Sequence, residues 1–316
     1  MGRKDGRRIK GINGFTRIAA QMLGNTRVET TNLYTQEVIT KPMDEYIAKK
    51  SKEDGVEYTY RDIAIATLVR VFYLRPHLNR FVYRGNFYQR NYIDIAIVMH
   101  KNLRTGEQET VVKCRFTGKE TLREVKQILD TTIIRAMTET VETDEFVNKI
   151  GSKLPTWLLR CAMSMMRWAD RWGLLSDNFM FTVSPFHTSV LFADMKSVHL
   201  GPVWHHMYNF GNCGFMACMG KEKKKAIVDV KTNTIQPTQV LELGISMDER
   251  FIDGLTYSHV IKTIERAVAN LTVLERAPEE DERKWPWGTP TEMKQREKWK
   301  KQDARKAAKL AKKVKK

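Results

Sequence analysis

The chain has 316 residues, 42% of them hydrophobic, and a formal net charge of +17 at pH 7. This is enough to bury a substantial core in one large domain or two small ones. No apolar run approaches the roughly 20 residues of a membrane span. Four cysteines are too few for a disulfide scaffold in a chain of this length. We therefore expect a reduced, cytoplasmic protein.

The positive charge is concentrated at the two ends of the chain. Residues 1–10 carry a net +4, and residues 292–316 carry twelve Lys or Arg against three acids, a net +9. Basic tails of this kind bind nucleic acid or anionic membrane by neutralising phosphates, or bind a protein partner, although a solvated helix is the simpler interpretation. The sequence predicts a basic N-terminal arm over 1–14 and a Lys-rich C-terminal tail over 276–316.

Strands and helices alternate in the first half of the body. The predicted elements are a strand (32–39), two helices (41–53 and 60–74), a hairpin centred on 84–86, two strands (92–99 and 110–116) and a helix through the 130s. Two capping-box patterns support the helix starts, Thr59 with Asp62 and Thr121 with Glu124.

The second half continues the mixture. The predicted elements are a Trp- and Met-rich helical stretch (142–178), strands (179–184, 214–220, 226–230 and 238–247) and a helix (255–271). The Trp and Met residues of the helical stretch are interpreted as core or interface packing rather than as a cofactor site. No repeat is present, so the class is α/β or α+β in one domain.

The segment 248–254 reads Asp-Glu-Arg-Phe-Ile-Asp-Gly. It resembles the Asp-His-Arg-x-x-Asp-Gly signature of the catalytic domain of 2-oxo acid dehydrogenase (dihydrolipoamide) acyltransferases. Chloramphenicol acetyltransferases share the His-x-x-x-Asp-Gly part. Residues 181–184, Phe-Thr-Val-Ser, are similar to the family's Phe-Thr-Ile-Ser strand, and residues 18–22, Ile-Ala-Ala-Gln-Met, to its entry motif Ile-Ala-x-Arg-Met. Glu249 stands where the family has its catalytic histidine.

The resemblance covers about residues 15–275, with a helical insertion at about 142–178. It implies a chloramphenicol acetyltransferase-like two-layer fold, a mixed β-sheet with packed helices. It further implies a homotrimer with an active site at each subunit boundary and acyl-CoA as a substrate. The lipoyl domain of the full-length enzymes has no counterpart, so no lipoyl group is expected on this chain.

The resemblance also implies roles for individual residues. Glu249 would be the general base, and Ser184, from the neighbouring subunit, would hydrogen-bond the oxyanion. Asp253 would order the turn by ion pairing, beside Arg250. Gly254 would let the backbone turn tightly into the helix.

Glu249 can also be interpreted from the residues alone. Apolar residues alternate along the strand that precedes it, and if the strand persists, Glu249 lies on the apolar face. A carboxyl desolvated there would have a raised pKa and could act as a general base. Alternatively, the strand ends at Met247, and Glu249 pairs with Arg250 in a solvated turn.

Ser184 precedes Pro185 and is equally well interpreted as a turn residue. His187 lies three residues further and is an alternative base. The spacing of the histidines and cysteines matches no standard zinc pattern, so no metal is expected.

Three functions remain open on the sequence. The first is a CoA-dependent acyltransferase that uses Glu249 or a displaced histidine. The second is a catalytically inactive relative that serves as a trimeric scaffold or acyl-CoA-binding protein. The third is an RNA- or membrane-binding protein that acts through its tails. The survival of the motif apart from one residue favours the first two.

Overall fold

The computed structural model describes residues 3–23, 26–100, 109–139, 153–229, 233–279, 282 and 288–314. The helices are α1 (Gly14–Met22), α2 (Lys41–Asp54), α3 (Tyr60–Leu74), α4 (Leu122–Thr138), α5 (Thr156–Arg171), α6 (Asp177–Thr182), α7 (Gly254–Ala269) and α8 (Pro290–Val314). The strands are β1 (Gly6–Arg8), β2 (Thr31–Ile39), β3 (Arg80–Tyr83), β4 (Asn86–Arg90), β5 (Ile93–His100), β6 (Glu109–Phe116), β7 (Val190–Asp194), β8 (Phe215–Met219), β9 (Lys223–Asp229) and β10 (Thr234–Asp248).

A mixed sheet organises the molecule. Its order is β2-β10-β8-β7-β5-β6, with β9 added to the first half of β10. Strands β5, β7 and β8 are parallel to one another, and the other pairings are antiparallel. A small antiparallel sheet, β1-β4-β3, stands apart from it. The expected mixed α/β architecture is therefore confirmed.

The main core lies between the sheet and α3, α4 and α7. Helix α3 is buried over nearly its whole length, and Phe72 packs edge-on against Phe215 of β8, with ring centroids 5.4 Å apart. Both capping boxes are present: Thr59 and Asp62 bond reciprocally at the start of α3, as do Thr121 and Glu124 at the start of α4. Side chains that satisfy the first free backbone N–H groups define where each helix begins.

One predicted strand is wrong. Residues 179–184 were expected to be extended, but residues 177–182 form helix α6. Ser176 accepts a hydrogen bond from the backbone N–H of Phe179, and Asp177 lies in the first turn. Both features stabilise a helix start, and here they outweigh the strand preference of the aromatic and β-branched residues.

Helices α5 and α6 account for part of the predicted insertion. Residues 142–152 lie outside the described residues, and α5 begins at Thr156. Within α5, all of which is described, Asp170 is the one buried residue. The helix thus touches the body on a narrow face and leaves most of its surface exposed.

Both chain ends contact the body, contrary to the expectation of a solvated tail. The N-terminal arm supplies β1, which pairs with β4. The first half of α8 lies against this arm, where the Lys10 backbone N–H donates to Gln295 at 2.9 Å. Trp299 packs on the main core, and Arg80 pairs with the buried Glu292 at 2.8 Å. Among the described residues of the tail, 301–312 have the continuous exposure predicted for the whole tail.

Candidate active site

Strand β10 ends at Asp248 and delivers the motif residues to a tight turn. The Glu249 backbone N–H donates to the Thr30 carbonyl at 2.9 Å, which anchors the turn to the residue before β2. The buried Asp248 accepts two hydrogen bonds from the Arg250 guanidinium, at 2.9 Å and 2.6 Å. Arg27 approaches the same carboxylate at 3.5 Å. The ion pair that orders this turn is therefore made by Asp248.

Asp253 and Gly254 start the helix that follows the turn. Asp253 is the N-cap of α7, and its carboxylate accepts from the Thr256 backbone N–H at 2.8 Å. The ion-pairing role expected of Asp253 thus falls to Asp248. Gly254 does not have a left-handed φ, and a Cβ placed there would meet open space. The reason expected for this glycine, a tight backbone turn, does not apply.

Glu249 opens onto a pocket of about 720 Å³. Helix α1 supplies an apolar wall, and the start of α7 and the first turn of α8 supply other sides. The lining residues that matter for chemistry are Glu249, Asp253, Thr256, His77, Arg80 and Glu292. Two sequence regions, the motif turn and the similar entry motif in α1, are therefore brought together in one cavity.

The side chain of Glu249 is exposed, because β10 ends one residue before it. The expectation that it continues the apolar face of the strand is wrong, and so is the desolvation that this expectation required. Its carboxylate lies in the turn, open to the pocket. A water-accessible carboxylate can still accept a proton from a substrate bound in that pocket.

His77 is a pocket residue that the sequence did not single out. It follows Pro76 in a short 3₁₀ turn after α3. Burial, together with the nearby positive charge of Arg80, lowers the pKa of His77 well below its ordinary value of 6.5. The imidazole is consequently neutral at physiological pH and carries a nitrogen lone pair. No spacing in the sequence linked His77 to Glu249, because their proximity comes from packing.

Ser184 lies in a different, closed environment. It is 4% exposed, and its hydroxyl is 2.6 Å from Nδ1 of His187, which is 2% exposed. Nε2 of His187 lies 3.2 Å from Oδ1 of Asp170 on α5. Asp170 also accepts from the Tyr83 hydroxyl at 2.5 Å and pairs with Arg3 at 3.1 Å. We call Ser184, His187 and Asp170 the buried relay.

The electrostatics of the buried relay define its proton positions. Burial lowers the pKa of His187, although Asp170 opposes the shift. Burial alone would raise the pKa of Asp170, but His187, Arg3 and Tyr83 outweigh it and lower the pKa to about 2. A neutral imidazole beside a carboxylate keeps its proton on the facing nitrogen, Nε2. Nδ1 therefore accepts, and the Ser184 hydroxyl donates to it.

The chain does not bring all the predicted site residues together. The residues that line the Glu249 pocket, within the part of the chain the structure describes, do not include Ser184 or His187. Asp170, which the sequence analysis also missed, completes the buried relay from the predicted insertion. Asp170 is the only acidic residue in α5, and this was the one feature of the sequence that could have singled it out.

The described residues contain neither a metal-binding cluster nor a membrane-spanning helix. No group of three or more His, Cys, Asp or Glu side chains among them is arranged to hold a metal ion. No helix in the same ranges combines the length and apolar character needed to cross a membrane.

Comparisons with known proteins identify the fold. No family model and no curated protein matches the sequence. A probable dihydrolipoamide acetyltransferase from Listeria monocytogenes 4b F2365 is similar in structure, with a TM-score of 0.51 and 15% identity over 83% of this chain and 94% of that one. The cubic core of the pyruvate dehydrogenase multienzyme complex has a TM-score of 0.53 and 12% identity over 82% and 88%.

A third similar structure is the dihydrolipoamide acetyltransferase of Azotobacter vinelandii, with a TM-score of 0.51 and 12% identity over 83% of this chain and 89% of that one. A serine, a histidine and an asparagine were investigated there for their role in the catalytic mechanism. The chain described here has the fold of the dihydrolipoamide acetyltransferase catalytic core.

Proposed function

We propose that this protein is a CoA-dependent acyltransferase whose site is the Glu249 pocket. The observation that carries the proposal is the pocket itself. A carboxylate on the signature turn and a neutral imidazole from His77 line one cavity, with an apolar wall from α1. A cavity of this size, which combines an apolar wall with several polar and charged groups, can hold a small molecule and fix its orientation.

Acyl transfer needs a base at the attacking group. A carboxylate or imidazole takes the proton from the thiol, hydroxyl or amine of the acceptor as it attacks the thioester carbonyl carbon. The carbon–sulfur bond of acyl-CoA then breaks, and the departing thiolate takes a proton back from the same base. Glu249 is the first candidate for this base because it occupies the signature position. His77 lines the same pocket and is a second candidate for the base, beside His187, the alternative that the sequence suggested.

Ser184 is the candidate oxyanion donor. Ser184 donates to His187 in this structure, so it must rotate away before it can bond an oxyanion. By the family resemblance, the protein would be a homotrimer. Ser184 of one subunit would complete the site that contains Glu249 and Asp253 of its neighbour. Light scattering that shows a stable monomer at micromolar concentration would contradict this arrangement.

The closed state of Ser184 supports the second candidate function, a trimeric scaffold or acyl-CoA-binding protein without turnover. A serine that is 4% exposed and held by a buried His–Asp pair is also what a purely structural network would contain. In that case the pocket binds acyl-CoA and releases it unchanged.

One experiment separates the two candidates. The purified protein is incubated with a panel of acyl-CoAs of increasing chain length and with thiol and amine acceptors, and free CoA thiol is measured. CoA binding is titrated by calorimetry in parallel. Thiol release above the rate without protein supports the transferase. CoA binding without thiol release supports the scaffold. The absence of both binding and thiol release contradicts both candidate functions.

A further inference from the structure

Helix α5 carries an exposed apolar stripe that the proposed function does not use. Trp157, Cys161, Met165, Trp168 and Trp172 recur every three or four residues. At 100° per residue they fall within about 80° of the helix circumference. Trp157 is 67% exposed, Met165 68% and Trp168 56%. We call these five residues the α5 stripe.

The body lies on the opposite side of this helix. The less exposed residues, among them Leu159, Met163 and Met166, fall on the face that also carries the buried Asp170. The α5 stripe is therefore the face turned away from the body. Large exposed apolar patches of this kind mark interaction sites in folded proteins.

Among the described residues of this segment, 153–176, the exposed charges beside the stripe are of one sign. Arg160, Arg167 and Arg171 are exposed and follow one flank of it, and Arg84 lies over the Trp172 ring at 4.3 Å from its centroid. Within the described range 153–176 the only acid is Asp170, which is buried against Arg3 and His187. The stripe is thus bordered by cations and by no exposed acid of its own segment.

We propose that the α5 stripe lies in the interface of an anionic lipid bilayer. An amphipathic helix with Trp and Leu on one face and Arg beside them, parallel to the surface, is the structure that such an interface binds. Tryptophan is suited to this depth because its ring is apolar and its indole N–H remains hydrated. Phosphate headgroups complement the charge of the arginines.

Two other occupants fit the observations less well. A contact between the stripes of two copies of this chain would bring the exposed Arg160, Arg167 and Arg171 of one copy towards the same cations of the other. A single-stranded nucleic acid would use the tryptophans for stacking and the arginines for phosphates. It has no use for the aliphatic part of the surface, Leu158, Met165 and Leu174, which are all exposed.

The test measures partition of the full-length protein, without acyl-CoA, into vesicles of phosphatidylcholine with 30 mol% phosphatidylglycerol, using cosedimentation. Lipids with brominated acyl chains report whether tryptophan fluorescence is quenched at the depth of the acyl boundary. The stripe variant is Trp157→Ser/Met165→Ser/Trp168→Ser. We expect partition to fall at least about tenfold and the quenching to be lost, because most of the inserted apolar area is removed.

Two control variants isolate the stripe. Val228→Ser/Ile235→Ser/Leu255→Ser removes three exposed apolar side chains elsewhere, and its partition should stay within about twofold of wild type. Lys306→Gln/Lys309→Gln/Lys312→Gln removes three charges from the exposed end of α8 and should preserve the quenching. Arg160→Gln/Arg167→Gln/Arg171→Gln should weaken partition into anionic vesicles and leave the already weaker partition into pure phosphatidylcholine unchanged. Circular dichroism and the thermal midpoint confirm that each variant is folded.

Four outcomes would overturn the proposal. The first is no partition of the wild type, and the second is loss of quenching in the α8 variant but not in the stripe variant. The third is a stripe variant that changes the molar mass in light scattering and leaves vesicle binding intact, which would assign the stripe to a second copy. A single-stranded oligonucleotide bound through the stripe, with no vesicle binding, would assign it to nucleic acid. None of these results depends on transferase activity.

Discussion

The Glu249 pocket and the buried relay differ in the solvent exposure of their polar groups. The pocket is open, and Glu249 projects from a turn whose order comes from Asp248 and Arg250 behind it. In the buried relay every member is almost inaccessible, and Asp170 holds His187, which in turn accepts from Ser184. The Glu249 carboxylate is therefore available to a ligand in the pocket, whereas the Ser184 hydroxyl is already hydrogen-bonded to His187.

The same contrast separates the turn after β10 from Ser184. The turn has an ion pair between Asp248 and Arg250, a helix cap at Asp253 and a cavity beside Glu249. Ser184 is hydrogen-bonded to His187, and His187 lies against Asp170 of α5, the helix within the predicted insertion. The pocket is thus the stronger candidate for chemistry, and the relay the stronger candidate for stability.

The largest expected effect is on turnover at the pocket. Glu249→Gln preserves shape and removes basicity, so the rate of CoA thiol release should fall about 10²–10⁴-fold, the usual share of general base catalysis. His77→Gln is measured in the same assay. If His77 is the base, His77→Gln loses thiol release by this factor and Glu249→Gln remains active.

The matched control for this comparison is Glu265→Gln. Glu265 is an exposed glutamate on α7, outside the pocket lining. It should release thiol at the wild-type rate. Loss of activity in the control as well would show that the assay reports folding or net charge rather than the base.

The next effect is on stability at the buried relay. Asp170→Asn leaves Arg3, His187 and the Tyr83 hydroxyl without their carboxylate, although Arg3 keeps Asp5 at 2.8 Å. Removing one partner of a buried ion pair costs about 3 kcal/mol or more in free energy of unfolding. Urea unfolding monitored by fluorescence measures this loss.

Asp177→Asn is the control for the relay. Asp177 pairs with Arg115 at 3.1 Å near the surface, so its loss should cost less than about 1 kcal/mol. Equal losses in the two variants would contradict the view that burial makes the relay a stabilising unit. Wild-type thiol release by Asp170→Asn would show in addition that the relay takes no part in turnover.

A third effect appears in the pH dependence of stability beside the relay. Lys113 donates to the carbonyls of Met180 and His187, and burial lowers its pKa to about 7. The unfolded chain, with a pKa near 10.5, then holds more protons than the folded one between these values, so stability rises with pH in that window. From pH 7.0 to 8.5 the rise should be about 1–2 kcal/mol.

Lys113→Met tests the assignment of this rise. It removes the titrating group and should flatten the dependence of the urea midpoint on pH over the same interval. The interval stops at pH 8.5 because burial raises the pKa of Cys213 and Cys218 above 9.0, which works in the opposite direction at higher pH. If the urea midpoint of the variant still rises with pH, the rise belongs to another titrating group.

The smallest effect is expected at the end of α8. Deleting 304–316 removes a segment whose described side chains, 304–312, are all exposed, and should change the free energy of unfolding by less than about 0.5 kcal/mol. Glu292→Gln, at the start of the same helix, leaves Arg80 buried with a neutral partner and should cost about 3 kcal/mol. Thermal and urea unfolding of the two variants measure the contrast between the packed and exposed halves of α8.

The sequence by itself determined the local parts of this protein. The capping boxes of α3 and α4 were correctly predicted because a side chain bonds the backbone three residues away, within one stretch of sequence. The long strand β10 was predicted from alternation of period two, and the signature after it indicated the acyltransferase fold. These signals need no knowledge of distant residues.

Other features were decided by tertiary structure. His77 and Glu249 share a pocket because α3 and β10 end beside each other, and Asp170 reaches His187 because α5 packs there. The exposure of Glu249 depends on where β10 stops, at Asp248, and the alternation along the strand did not decide whether it would continue to Glu249. Burial and long-range pairing determine which of these groups is neutral, charged or occupied. Those quantities depend on the whole fold, whereas periodicity and caps depend only on neighbouring residues.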